Sequence, residues 1–252
     1  MKHVERVVLP ILFAGALVAI WHFAVVTTGT KVFPSPADVV RGVVTLAERG
    51  TLWAYIGDSL LRVGTGYIAA ILTGVPVGLW LGWHPGLSRA VNPVIQMLRP
   101  ISPLAWMPLA IIWFGVSNAA PIFLIYLATF LPVVVSMTHA VQNVPSNYLQ
   151  AARNFGLTTP QLIRRVVFPA VLPRAIVAFR IAFGIAWIVL VASEMIAVDS
   201  GLGYLIIDAR NAGKRYDLVV GGMLLIGIIG LILDVAIRSA ERLPSVRWGF
   251  RE

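Results

Sequence analysis

The stretch SNYLQAARNFGLTTPQLIRRVVFPAVLP, Ser146 to Pro173, interrupts a chain that otherwise reads as membrane. It is too polar to span lipid and too apolar to be a linker. Its periodicity is helical twice over. Leu149, Ala152 and Phe155 share one face of a first segment; Leu162, Ile163, Val166 and Val167 share one face of a second, with Arg164 and Arg165 turned away. Gly156 lies between the two, where a chain leaving a helix commonly needs φ > 0. Thr159 is expected to cap the second helix, with Pro160 at its first position. The pattern predicts a helix–turn–helix with one apolar and one cationic face. Two uses fit it equally: a surface pair packed on its own membrane domain, or an element that docks a partner.

Composition sets the solvent. The chain has 252 residues, 58% hydrophobic and only 12% charged, with a mean hydropathy of +0.85. A soluble domain carries about a quarter charged residues, so this chain has too little charge for a water-facing surface and a bilayer is expected. Cysteine is absent, which excludes disulfides and thiolate chemistry. The net charge of +9 is read as cationic loops that orient a membrane protein, not as a nucleic-acid surface. His22, His84 and His139 have no ligand-like spacing, so no metal is expected; His139 fits a capping cation near a helix end.

Apolar segments predict six spans, at about residues 7–27, 60–83, 91–114, 119–141, 175–198 and 217–238. The first is expected to be an uncleaved span, its core being long for a signal peptide. Between the first two, Ser35, Pro36 and Asp38 form a helix-start signature, and Val39, Val40, Val43, Val44 and Ala47 give an amphipathic surface helix. Gly74, Gly78 and Gly82 recur every fourth residue, a small-residue ridge for packing within the chain or against another copy. Pro100, Pro103 and Pro108 make the third span irregular, and Pro132 lies within the fourth.

Charges orient the spans. One side collects Lys2, Arg6, Arg89, Arg99, Arg153, Arg164, Arg165, Arg174, Arg180, Arg238, Arg242, Arg247 and Arg251. The other holds Lys31, Arg41, Arg49, Arg62, Arg210, Lys214 and Arg215 beside Asp38, Glu48, Asp58, Asp199, Asp208 and Asp217. The positive-inside rule then predicts both termini in the cytoplasm and residues 145–170 as a cytoplasmic loop. The fold class is an all-α, single-domain membrane protein over residues 1–252.

The loop resembles the signature of bacterial ABC importer permeases, written EAA, three residues, G, nine residues, I-x-L-P. Here it reads Gln150-Ala151-Ala152, three residues, Gly156, nine residues, Val166-Val167-Phe168-Pro169. The spacing is kept, and Gln150 stands where the family has an acid. FPSPADVV, LRPISPLAWMPLAIIWFG, FRIAFGIAWIVLVASEMI and SGLGYLIIDARN are similar to the nitrate, sulfonate and taurine branch of that family. The resemblance covers nearly the whole chain. It implies the type I ABC importer permease fold in a bacterial inner membrane, and a role as the permease subunit for a small anion of that kind. The partners it implies are a second copy of the chain, two cytoplasmic ATPase subunits carrying ATP and Mg, and an extracytoplasmic substrate-binding protein. The coupling residues it implies are Gln150, Ala151, Ala152, Arg153, Gly156, Arg164, Arg165 and Pro169.

The residues themselves contain no GxxxxGK[ST] phosphate loop, so ATP work falls to a partner and no cofactor is expected on this chain. Glu194 reads as the one acid within an otherwise apolar span, and costly intramembrane charges are functional candidates. It is read either as part of an outer gate or as an acid bonded within its own protomer. Ser136 and Trp187 are further candidates for a translocation pathway, the tryptophan fitting core packing better. Gly201, Leu202 and Gly203 form an outer loop that the resemblance assigns to binding-protein contact, a plain turn being the other reading. An ion-coupled secondary transporter is the alternative function; its coupling normally uses midplane carboxylates. No G-x-S-x-G or H-E-x-x-H motif supports an intramembrane enzyme.

Overall fold

The computed structural model describes residues 2–29 and 33–239, all helices and connections with no strand among them. The cations at Lys31, Arg242, Arg247 and Arg251 lie outside the described residues, as do the side chains of Lys2 and Arg6. The elements are α1 (Lys2–Thr28), α2 (Pro36–Glu48), α3 (Thr51–Trp83), α4 (Pro85–Leu98), a 3-10 turn (Pro103–Trp106), α5 (Met107–Phe114) and α6 (Ala119–Gln142). After these come α7 (Ser146–Asn154), α8 (Thr159–Leu162), a π-helical turn (Ile163–Val167), α9 (Phe168–Ala197), α10 (Leu202–Gly213) and α11 (Tyr216–Ser239). Five helical segments are long and apolar enough to cross a bilayer, six if the bent pair α4–α5 counts as one.

The bundle is built on the face where α3 meets α6. Lipid offers no hydrophobic drive for helices to pair, so close backbone approach and dispersion must do it. The expected ridge of Gly74, Gly78 and Gly82 lies here, and it extends upward through Ala70 and Gly66. It serves packing within the chain. A Cβ at Gly78 would meet Met137 Cβ at 2.5 Å and the Val134 carbonyl at 2.7 Å. Thr138 of α6 donates across the seam to the Gly78 carbonyl at 3.2 Å. α9 packs against both α6 and α3, the Tyr67 hydroxyl donating to the Phe179 carbonyl at 2.9 Å, and α11 closes against α9 and α2.

Several boundaries differ from the sequence reading. α3 begins at Thr51, because its polar first turns, with Asp58, Ser59 and Arg62, remain helical beyond the apolar run. The third span starts at Pro85 and is broken, α4 and the 103–114 segment meeting at 81°. Pro103 explains the break: it drives Ser102 to φ −58° and ψ 131°, out of the helical region. The fifth span is not separate from the loop before it. Thr159–Ala197 is one continuous helical segment of 39 residues, about 58 Å long at 1.5 Å per residue.

α2 has the expected capping box. The Ser35 hydroxyl accepts from the Asp38 N–H, and the Asp38 carboxylate accepts from Ser35. These bonds from Ser35 hold the Asp38 carboxyl below its ordinary range. Its buried positions are Val39 and Gly42, facing α11, while Val40 and Val44 are exposed. The described side chains of α1 are mostly exposed; Trp21 anchors the helix by donating to the Pro34 carbonyl at 3.1 Å.

Gly78→Val is therefore expected to destabilise the bundle by about 1–3 kcal/mol or more, as overpacking does. Gly64→Ala, where a Cβ meets nothing within 4 Å, should be neutral. Thermal unfolding of the two variants in mild detergent reads the difference.

Candidate functional site

The spacing of the Ser146–Pro173 stretch has a direct structural meaning. α7 ends in a Schellman turn: the Gly156 N–H donates to the Arg153 carbonyl at 2.9 Å and the Leu157 N–H to the Ala152 carbonyl at 3.2 Å. Gly156 sits at φ +75° with open space around it, so glycine is needed there for backbone conformation and not for room. Ala152 is the residue whose carbonyl closes the outer bond, four positions before the glycine. The interval from the second alanine to the glycine is thus the length of one helix cap.

The second helix is capped one residue earlier than expected. Thr158, not Thr159, is the cap residue, and its N–H donates to the Gln161 carboxamide at 3.0 Å. Thr159 and Pro160 then occupy the first turn. The chain continues through five residues of π-helix, where the Phe168 N–H reaches back to the Ile163 carbonyl. That widened turn lies immediately before Pro169 and Pro173, neither of which can donate a backbone bond.

The loop is fastened to the bundle by its apolar side. Ala152, Leu162, Val167 and Val171 share one buried cluster with Val133, Met137, Ala140 and Val141 of α6. Leu149 packs against it, but Phe155 does not: its ring is 84% exposed. The helical turn ends at Phe155, so the ring projects beyond the face that Leu149 and Ala152 bury. Gln150, Ala151, Arg153, Gly156, Arg164, Arg165 and Pro169 are all exposed. Arg153 also edges a cleft of about 410 Å³ between the loop and the ends of α3 and α6. No acid lies between residues 145 and 170, and among the described residues none of these three arginines has an ion-pair partner.

At the other end of α9, Glu194 is fully buried beside Arg62 of α3, 2.7 Å away. Burying two charges is stabilising only if their remaining bonding capacity is met, and here it is. Glu194 also accepts from the Ser59 hydroxyl and from the Gly203 N–H at 3.0 Å. Arg62 donates to Asn118 Oδ1 through Nε and Nη2, and to the carbonyl and hydroxyl of Ser200. Five elements or connections meet on this pair: α3, the start of α6, α9, the α9–α10 turn and α10. Of the two readings of Glu194, the acid bonded within its own protomer is the one observed.

The same cluster takes in Gly201, Leu202 and Gly203, the segment that the resemblance assigns to binding-protein contact. All three are buried. The Leu202 N–H donates to the Ser59 hydroxyl at 2.9 Å, and a side chain at Gly201 would collide with Glu194 and Arg62. Their backbone is spent on the ion pair. Trp187 is likewise buried, its indole N–H donating to the Ile226 carbonyl at 3.3 Å and its ring edge lying on Gly230. It joins α9 to α11. Ser136 is half-buried on α6.

Two contributions escaped the sequence reading. Arg62 was grouped with outer surface cations, although it faces the core. Asp234 of α11 is a second acid within an apolar span; it receives Arg180 of α9 in two parallel bonds, Nε to Oδ1 at 2.8 Å and Nη2 to Oδ2 at 2.9 Å. Arg180 therefore belongs to a helix–helix pair within the spans. The helical period was the available signal: Ser59 and Arg62 lie three apart, on the side of α3 that continues into Gly66 and Ala70.

Removing Glu194 alone should leave a buried, unpartnered guanidinium and cost about 3–5 kcal/mol. Glu194→Ala is expected to lower the detergent unfolding midpoint sharply, and Arg62→Met with Glu194→Met to recover most of that loss. A double variant as unstable as the single one would contradict the paired role.

The model of a family described as "binding-protein-dependent transport system inner membrane component" matches residues 74–243. The chain is similar to the taurine transport system permease protein TauC of Escherichia coli K12, 35% identical over 230 residues, covering 88% of this chain and 82% of that protein. It is similar also to the nitrate import permease protein NrtB of Synechococcus elongatus, 33% identical over 239 residues, covering 90% of this chain and 86% of the other. Among solved structures, an inward-facing conformation of the MetNI methionine ABC transporter matches with a TM-score of 0.66 at 20% identity, over 78% of this chain and 97% of that one.

Proposed function

The chain belongs to the family of binding-protein-dependent transport system inner membrane components and is the permease subunit of an ABC importer; we propose that its cargo is a small oxyanion of the sulfonate or nitrate kind. In this reading a binding protein delivers the solute to the outer face of an inner-membrane complex. Two copies of the chain form the path between them, and both termini are cytoplasmic. A separate pair of ATPase subunits, carrying ATP and Mg, docks on the α7–α8 loop. The similarity to taurine and nitrate permeases supports the choice of cargo.

The observation that carries the coupling role is the continuity of the loop with α9. A stiff element converts a push at one end into displacement at the other only if nothing between them yields. Thr159–Ala197 is unbroken, its first turns share a buried cluster with α7, and Glu194 near its last turn is tied to α3 and α10. Closure of the ATPase pair would move α7, and α9 would carry that motion to the outer face. An ion-driven cycle finds less material: Glu194 and Asp234, the acids deepest in the spans, are each paired with an arginine.

Gly156 separates the coupling role from folding. Alanine there meets no atom within 4 Å and costs about 1–2 kcal/mol for the left-handed backbone. Aspartate tolerates that backbone better than most residues but places a charge at the docking turn. Gly156→Ala should keep much of the uptake of labelled taurine or nitrate, whichever the wild type accumulates. Gly156→Asp should insert normally in the membrane and lose at least about tenfold in uptake, since one unpaired charge in a closed interface costs on the order of several kcal/mol. Wild-type uptake by Gly156→Asp would overturn the docking role of the loop.

A further inference from the structure

α7 carries a second apolar feature besides the face it buries. Tyr148 is 49% exposed and Phe155 is 84% exposed. They stand seven residues apart, Tyr148 in the first turn of α7 and Phe155 at its C-cap, where the ring projects off the face that Leu149 and Ala152 bury. Ala151, also exposed, lies between them. The two adjacent alanines thus differ in role: Ala152 is packed into the bundle, while Ala151 is a small exposed residue between the two aromatic positions in the chain. Around this stripe are the exposed polar side chains of Asn147, Gln150 and Asn154, with Arg153 behind and Arg164 and Arg165 on the following helix. A face turned to acyl chains would continue apolar on both flanks, as α9 does through Ile181 and Ile188. This one is rimmed by amides and cations, the pattern of a protein-binding hot spot with aromatic anchors inside a polar border.

We propose that Tyr148 and Phe155 are the anchor side chains that seat this loop in its ATPase, with a ridge of the partner resting on Ala151. The inference rests on the permease reading above and adds the identity of the contact. It also fixes the partner's chemistry. The groove has two apolar pockets about 10 Å apart, the rise of seven helical residues, and an acidic rim that meets Arg153, Arg164 and Arg165. Those arginines have no acid of their own loop to neutralise them. Gln150, which stands where the family resemblance has an acid, keeps the whole rim of this loop free of negative charge.

The absence of cysteine from the chain provides a direct test. Phe155→Cys and Tyr148→Cys permeases, purified in mild detergent with the ATPase that accompanies the wild type from its native membranes, are treated with a membrane-impermeant maleimide. The same reaction is run after the ATPase has been stripped and after the permease has been returned to phosphatidylethanolamine–phosphatidylglycerol vesicles. Both cysteines should react fast in the stripped vesicle-bound permease and at least about tenfold more slowly in the complex. Slow reaction in stripped vesicles would place the stripe in lipid and overturn the proposal; equal rates with and without the ATPase would do the same. In parallel, Phe155→Ala and Ala151→Trp, both at exposed positions, should each reduce ATPase recovery about tenfold or more while Phe155→Leu retains it. Full recovery with Phe155→Ala sinks the anchor role but leaves the permease reading intact. A wild type that brings no ATPase from the membrane sinks the permease reading itself, and the anchor role with it.

Discussion

The close approach of α3 and α6 is the constraint on which the remaining structure depends. In lipid, two helices gain nothing by hiding apolar surface, so their pairing relies on backbones coming near enough for dispersion and short polar contacts. Gly66, Ala70, Gly74, Gly78 and Gly82 supply that proximity along the second half of α3, the glycines leaving no space for side chains against Ile125, Val134, Met137 and Val141. With α3 and α6 locked, α9 packs against both of them, and α10 and α11 are placed by α9. The bent α4–α5 pair is tolerated because α6 gives α5 and the turn before it a packed surface.

Polar chemistry then fastens what packing alone would leave free to slide. Arg62 with Glu194 fixes one end of α9 to α3, α6 and α10, and Arg180 with Asp234 fixes its middle to α11. Both pairs use a guanidinium: Arg180 meets its carboxylate in two parallel bonds, while Arg62 gives Glu194 one and directs its other donors to Asn118 and Ser200. The two differ in depth. Arg62 and Glu194 are wholly buried, whereas Arg180 and Asp234 are about one-third exposed, on the side of the bundle where α9 and α11 present bare apolar surface. A helix held at its outer end and middle, and joined at its inner end to a compact amphipathic loop, is suited to carrying motion lengthwise.

Much of this was legible in the residues. Apolar run length located the spans, the four-residue glycine repeat marked the seam, and Ser35 with Asp38 gave the start of α2. Gly156 with its positive φ was readable because a polar, helix-period segment changes phase there. Other features were hidden for physical reasons. Phe155 fits the apolar period of α7, and only the position of the helix end decides that its ring points outward. Gly201–Gly203 has the composition of an exposed turn, yet the Gly203 N–H is taken by the Glu194 carboxylate nine residues earlier and the Leu202 N–H by the Ser59 hydroxyl. Partnership between Arg62 and Glu194, 132 positions apart, is invisible to any local period. Asp234 was overlooked because one acid barely dents a hydropathy window.

In the proposed cycle the permease is driven by ATP hydrolysed on another subunit. The measurement that meets this claim most directly is uptake of labelled taurine or nitrate by cells expressing the chain with its native partners, energised in two ways. Depleting ATP with arsenate while the membrane potential is maintained should abolish accumulation, and a protonophore added to ATP-replete cells should leave initial uptake nearly unchanged. Accumulation that survives arsenate and collapses with the protonophore would contradict the account and assign the chain to ion-coupled transport.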